Sequence, residues 1–323
     1  MNKLTYMLKF KPRELLVPTT LALMLTLGGC VSLEPTLPVA ITGVASNWPL
    51  PATSAKLASA TVPAEIGDSD TGVVADIGWR DFFTDPKLVE IIAHALDNNR
   101  DLRVAVLNVE RARAQYDIQR AGQVPSIGVN GTMSRGGGLV ATPGTVYSAS
   151  VGLSSFELDL FGRVHNLSQA ALQQYFAQEQ ARRAAQLSLI AEVARAYLTL
   201  ASDLEAQRVA QATLDNQQAA FDLIVKRHRA GAVSGLDVSQ AETTVESARV
   251  DRARYVGQVA TDRNALVLLV GAPIEAALLP HGLLPAESGL LPLPPGLPSQ
   301  VLLRRPDVLQ AEYQLRSANA SIG

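Results

Sequence analysis

Between Gly162 and Gly231 the chain runs through sixty-eight residues, 163 to 230, without a glycine or a proline. Taken as one helix rising 1.5 Å per residue, that stretch is about 100 Å long. An ordinary globular helix reaches about 20 residues before a breaker, so a run of this kind belongs to a coiled coil, a helical repeat or the wall of a tunnel. No compact domain has use for such a rod. The segments attached to it decide among the three.

The spacing within the rod already narrows the choice. Leu187, Ile190, Ala194, Tyr197, Ala201 and Leu204 recur at alternating steps of three and four, and a second line through Leu189, Val193, Ala196 and Leu200 runs beside the first. A two-stranded coil needs one narrow seam. Two adjacent seams predict neighbours on both flanks, as in a ring or sheet of helices. After Arg227-His228-Arg229-Ala230-Gly231 the chain turns over 231–235 and returns as a second helix across 236–270. That helix is about 50 Å long, roughly half the rod.

With 323 residues, a net charge of -2, a pI near 6.1, 47% hydrophobic residues and 5% aromatics, the chain is neither disordered nor basic enough to bind nucleic acid. Its N-terminus has the layout of a secretory signal over 1–29. Lys3, Lys9, Lys11 and Arg13 precede an apolar stretch from Leu15 to Leu27 that is too short for a permanent transmembrane helix. Leu27-Gly28-Gly29-Cys30 follows, which resembles a bacterial lipobox, with the thiol of Cys30 as the site of acylation. Val31, not an aspartate, comes next, and by resemblance to lipoprotein sorting this favours the outer membrane. Cys30 is the chain's one cysteine, so no intramolecular disulfide can form and stability rests on packing and assembly.

Residues 30–84 are rich in Pro, Ala, Ser, Thr and Gly and read as an extended lipid-anchored segment. Helical spacing begins at Asp85 with Leu88, Ile91, Ile92, Ala95 and Leu96. Asn98 and Asn99 end that helix, and Asp101 caps or begins a second one that stops at Gly122, completing 85–122. Over 123–161 the period changes to two. Ile127, Val129, Gly131 and Met133 alternate with Ser126, Gly128, Asn130, Thr132 and Ser134. Gly136-Gly137-Gly138 and Pro143-Gly144 mark a flexible tip, and Tyr147, Ala149, Val151 and Leu153 alternate again. Arms of roughly 10 to 13 residues match a tilted strand crossing a bilayer, although a soluble hairpin with one wet face has the same pattern. Two strands cannot close a barrel, and an open edge in lipid strands unpaired backbone groups, so a membrane hairpin requires other copies or other segments.

A Leu/Pro/Gly-rich connector spans 271–303, and 304–323 repeats an earlier theme. At an offset of 206, Asp307 falls on Asp101, Ala311 on Ala105, Ala318 on Ala112 and Ala320 on Ala114, as a long-period duplication would give.

Several of these segments, in this order, resemble the TolC-like outer membrane efflux proteins, in particular the lipoprotein branch that serves multidrug systems of the RND type. They are the lipobox, Trp79-Arg80-Asp81-Phe82-Phe83 with Asp85-Pro86-Lys87-Leu88, and Phe156-Glu157-Leu158-Asp159-Leu160-Phe161-Gly162-Arg163. The turn at Gly231 and Arg304-Arg305-Pro306-Asp307-Val308 complete the set. The resemblance runs from the signal to Gly323. It implies a mainly α fold with a membrane β-hairpin: a long-helix α-barrel joined to a shared β-barrel, of which this chain carries the first of two repeats and the start of the second. It further implies a homotrimer, a periplasmic adaptor and an inner-membrane RND transporter as partners, and outer membrane lipids around the barrel. The expected location is the outer membrane, lipid-anchored, with the helices in the periplasm. In such proteins the turn after the long helix is the periplasmic tip, which Gly231 and Asp237 match, with Leu236 where a polar partner often stands. Phe156 replaces the tryptophan usual before the Glu-x-Asp pair. The second hairpin, second long helix and acidic constriction lie outside these residues, so the chain by itself is expected not to close a conducting trimer.

The residues themselves point away from catalysis. Glu157 and Asp159 share a strand-to-helix junction with Gly162 and Arg163, where ion pairing and helix N-terminal charge account for them better than general acid–base work. His94, His165, His228 and His281 form no ligand spacing. Arg227 and Arg229 serve either as a docking patch or as favourable charge at a helix C-terminus. No cofactor is expected beyond a lipid on Cys30. The expected function is a passive conduit for drugs or other small molecules in a tripartite efflux system; the alternative is a periplasm-spanning adaptor or structural coiled-coil lipoprotein without a pore.

Overall fold

The computed structural model describes residues 35, 37, 77–138, 141–153, 156–283, 289–291, 293 and 299–322. In chain order the described elements are α1 (Trp79–Phe82), α2 (Pro86–Asn98), α3 (Arg100–Ala121), β1 (Ile127–Gly138), β2 (Ala141–Leu153), α4 (Arg163–Arg229), α5 (Gly235–Val270), two short 3-10 turns at Ala276–Leu278 and Ser299–Arg304, and α6 (Pro306–Ala320). The 67 residues of α4 form one helix, about 100 Å from end to end. The chain divides into two compact units, and α3 and α4 each contribute to both.

One unit comprises residues 42–107 and 180–308 and contains the main apolar core. Leu88, Ile91, Ile92 and Ala95 of α2 meet Leu189, Ile190, Val193, Ala194, Tyr197 and Leu200 of α4 and Leu266 and Val270 of α5. The two lines of apolar residues on the rod therefore feed one cluster, with α2 and α5 as neighbours. Leu187, at the upper end of the first line, stays 54% exposed and lies outside that cluster.

Helix starts follow from local side chains. Asp85 takes extended geometry and accepts from Lys87 N at 2.9 Å, while Pro86 occupies the first helical position, where a missing N–H costs nothing. At the α2–α3 junction the cap is Asn99 and not Asp101. The Asn99 Oδ1 accepts from Leu102 N at 2.9 Å, and its Nδ2 donates to the Leu269 carbonyl at 2.8 Å, so one buried amide starts α3 and ties it to the end of α5. Asp101 falls inside the first turn. A further difference lies at Trp79–Phe82, which form a helical turn inside the segment expected to be extended; Phe82–Phe83 ring packing at 5.1 Å and an antiparallel bridge from Phe83 to Leu290 hold it.

The other unit comprises residues 1–41, 108–179 and 309–323, and its sheet is the β1–β2 hairpin. Pairing runs from Ile127↔Leu153 to Gly136↔Gly144 and, after a register shift between Gly136 and Gly138, to Gly138↔Ala141. The strands thus continue through the glycines and Pro143 that the sequence suggested were a loose tip. Glycine tolerates extended backbone, and proline is admissible on a strand with a free edge. Period-two alternation puts the pairs Ile127–Leu153, Val129–Val151 and Met133–Tyr147 on one face, all six residues at least 65% exposed. The opposite face carries Asn130–Ser150 and Thr132–Ser148, whose hydroxyls are hydrogen-bonded.

Candidate functional site: the two ends of the long helix

At the N-terminal end of α4, Asp159 Oδ2 accepts from His165 N at 2.8 Å, and the amides of Val164, Arg163 and Gly162 also point at this carboxylate. These are the donors that a helix start leaves without intrahelical partners. They stabilise negative charge, and the Asp159 carboxyl is held below its ordinary range, chiefly by the His165 amide. Glu157 grips Arg163, the first residue of α4, through Nε at 3.0 Å and through a second contact from Nη2. That forked contact lowers the Glu157 carboxyl and raises the Arg163 guanidinium. Gly162 supplies the positive φ, 79°, from which the helix departs, and its carbonyl accepts the first helical bond from Asn166 N at 2.7 Å. Neither carboxylate is poised as an acid or base, since both are committed as anions to joining strand and helix. The same segment exposes Phe156, Leu158, Leu160 and Phe161, at 42%, 74%, 64% and 69%.

The C-terminal end closes in a Schellman turn. Gly231 has φ 77°, its N–H donates to the His228 carbonyl at 2.8 Å, and Ala232 N donates to the Arg227 carbonyl at 2.9 Å. Ser234 and Asp237 then form a capping box for α5: Asp237 N donates to Ser234 Oγ at 3.2 Å, and Ser234 N donates to Asp237 Oδ2 at 2.8 Å. The Ser234 hydroxyl also donates to that carboxylate, at 2.6 Å, and is the first cause holding Asp237 below its usual range. Asp237 therefore serves its own helix start within this chain. His228 Nδ1 lies 2.9 Å from the Val233 carbonyl, across the turn. Lys226, Arg227 and Arg229 project into solvent around it, and Leu236 is 67% exposed.

Sequence reading missed Ser234, although the Ser-x-x-Asp spacing before a helix was available as a signal. It also missed Asn99 as a shared cap and the contact between Asp203 of α4 and Asp262 of α5, for which no local pattern exists. Contact with this second carboxyl, more than burial, raises Asp203 above the ordinary carboxylate range. Cys30 and the signal segment lie outside the described residues. Among the described residues no group of three or more His, Cys, Asp or Glu is arranged to hold a metal ion, and no helix is long and apolar enough to cross a membrane.

A helix of this length that starts at a capped junction, preceded in the chain by a hairpin with one exposed apolar face, defines a class of proteins that join a long helix to a strand pair. Residues 91–272 match the model of the outer membrane efflux protein family, and the chain belongs to that family. It is 42% identical over 306 residues to a probable efflux pump outer membrane protein, TtgC, of Pseudomonas putida, covering 92% of this chain and 60% of the relative. It is 37% identical to the probable outer membrane lipoprotein SilC of Salmonella typhimurium, covering 92% of this chain and 62% of that one. Among solved structures, the open state of the Neisseria gonorrhoeae MtrE outer membrane channel superposes with a TM-score of 0.71 at 35% identity, covering 90% of this chain and 62% of that one. The chain thus spans about three-fifths of the length of these relatives. Its fold is theirs, mainly helical with a two-stranded hairpin, and family membership puts the protein in the outer membrane.

Proposed function

We propose that the protein is the outer membrane channel component of a tripartite efflux system, a passive conduit through which small molecules leave the cell. The observation that carries this reading is the hairpin. Its apolar face is exposed over strands of 12 and 13 residues, long enough for a tilted crossing of the hydrocarbon layer, and it leads through the Asp159 junction directly into a helix of about 100 Å. Lipid would accept the apolar face, but the outer edges of a two-stranded ribbon leave backbone groups unpaired, so strands from other copies or other segments complete the barrel. The family resemblance supports a homotrimer as the assembly. The energy comes from elsewhere: an inner-membrane RND transporter, reached through a periplasmic adaptor that meets the exposed turn bearing Arg227, Arg229 and Gly231. No bond is made or broken in this chain. Cys30 carries a covalent lipid, a reading supported by the Leu27-Gly28-Gly29-Cys30 sequence and by the likeness to a named lipoprotein.

Accumulation of an amphiphilic fluorescent dye tests the conduit in cells that have the adaptor and pump but lack other outer membrane efflux channels. Loss of the protein is expected to raise accumulation several-fold, and a chain lacking 127–153 is expected not to restore export. Export unchanged by either deletion would overturn the proposal.

A further inference from the structure

Between Arg120 and Glu157 the chain carries one charged side chain, that of Arg135. The hairpin register fixes where it stands. Residues 127, 129, 131, 133 and 135 of β1 share a face with 145, 147, 149, 151 and 153 of β2, and the pairs climb from Ile127↔Leu153 through Met133↔Tyr147 to Arg135↔Thr145. Arg135 is therefore on the apolar face, one pair beyond Met133 and Tyr147 and before the register shift that begins at Gly136. It is exposed, and the hairpin supplies no carboxylate to neutralise it. The next two residues, Gly136 and Gly137, put no side chain in the way, and a Cβ at either would meet nothing within 4 Å.

The height of this cation along the ribbon is informative. From Ile127 to Arg135 the strand rises about 26 Å. At the tilt of about 40° usual for a membrane strand, that is about 20 Å of height, against an outward apolar band about 25 Å tall. With Ile127 at the lower border, the backbone of Arg135 lies just inside the upper border, and its long side chain carries the charge to headgroup level while the stem stays in the apolar layer. Tyr147, diagonal to Arg135 and 74% exposed, has the amphipathic ring suited to the same border.

We propose that Arg135 binds the phosphate headgroup of an outer-leaflet lipid, and that this contact fixes how deeply the hairpin sits in the membrane. The proposal rests on the reading of the hairpin as membrane-crossing with its tip outside. A phosphate is the complement of this group, because a guanidinium presents a planar fork of donors that two phosphate oxygens accept together. A membrane lipid is the occupant, because its acyl chains meet Met133, Tyr147, Val129 and Val151 below the cation while its phosphate meets the cation itself. Free phosphate would use only the second of these contacts. The opposite face, with Asn130, Thr132, Ser148 and Ser150, has no charge to compete for the headgroup.

Photo-crosslinking in outer membrane fractions tests this, with benzoylphenylalanine in place of Val129, midway along the apolar face, or of Thr145, the cross-strand partner of Arg135. Adducts are identified by mass spectrometry. The probe at 129 is expected to join lipid acyl chains whatever residue occupies position 135. The probe at 145 is expected to join a phosphate-bearing lipid, and Arg135→Gln is expected to reduce that adduct about fivefold, the effect of losing one exposed charge pair. Arg135→Lys, which keeps the charge, is expected to retain most of it. A lipid adduct at 145 that is equal in the parent and in Arg135→Gln would overturn the headgroup role, as would an adduct there to protein in place of lipid; lipid adducts at 129 would in either case leave the membrane reading standing. Absence of lipid from both probes would overturn the membrane-crossing reading and the headgroup role with it.

Discussion

The hydroxyl of Tyr197, near the middle of the long helix α4, donates to Asp85 Oδ2 at 3.0 Å, while the other oxygen of that carboxylate caps helix α2 through Lys87 N. One side chain thus begins a helix and fastens it to the rod. Burial, with the Asp85 acceptor adding to it, pushes loss of the Tyr197 proton far above the ordinary phenol range, so the bond persists at every physiological pH. Tyr197→Phe keeps the buried ring and removes only the hydroxyl. It should cost about 1.5–3 kcal/mol, the range for a hydrogen bond to a charged group, seen as faster amide exchange across Pro86–Asn98. Tyr197→Ala also empties the core and should cost about 3–5 kcal/mol. Equal exchange in wild type and Tyr197→Phe would show that the bond contributes nothing.

Gly231 and Gly257 should respond in opposite directions to alanine. Gly231 holds φ 77° in the turn after α4, and a Cβ there costs about 1–2 kcal/mol even though the space around it is open. Gly257 sits inside α5 with helical backbone and nothing near its missing Cβ, so Gly257→Ala should stabilise by about 0.5–1 kcal/mol. Paired thermal melts check both; a Gly231→Ala variant no less stable than the parent would refute the left-handed cap, and a destabilised Gly257→Ala would refute the gain expected at that helical position.

The carboxylates at the two helix starts should make the protein acid-sensitive. Asp159 and Asp237 are both lowered in the folded state, so their contribution is present above the unfolded value near 4 and is lost as pH falls through the folded value. Asp159→Asn should therefore lower stability at neutral pH and flatten the acid limb of a pH–stability curve. A variant that leaves that limb unchanged would show that the Asp159 carboxylate does not stabilise the start of α4.

Asp203 predicts the reverse. Its contact with Asp262 raises its folded value, so the folded state binds the proton more tightly, and the pair destabilises progressively as pH rises from the unfolded value through the folded one. Asp203→Asn should remove that slope and raise the melting temperature at pH 7. A lower melting temperature for Asp203→Asn at pH 7 would contradict it.

These relationships divide cleanly into what the sequence reveals and what it hides. The rod was legible because Gly162 and Gly231 bound a run free of breakers, and α4 occupies Arg163–Arg229. The fold class was legible because a period of two gives way to helical spacing across Phe156–Arg163. The hairpin tip was not, since Gly136–Gly138 and Pro143 are loop formers by local preference, yet a two-stranded ribbon accommodates them. Asn99, Tyr197 and Asn319 were also hidden. Each meets an acceptor more than a hundred residues away, and no spacing rule carries that information. At the turn, the resemblance matched Asp237 to the periplasmic tip but did not show its local role: its carboxylate caps its own helix start, because Ser234 three residues earlier completes a capping box.

The central claim is that the hairpin crosses the outer membrane while the far end of the long helix hangs in the periplasm. Cysteines at Gly137 and at Ala232 test it in intact cells with a membrane-impermeant maleimide, using the parent chain as the control for Cys30. Gly137→Cys should label from outside, and Ala232→Cys only after the outer membrane is permeabilised. Labelling of both positions only after permeabilisation would mean that the hairpin does not cross, and would favour a periplasmic coiled-coil lipoprotein over a conduit.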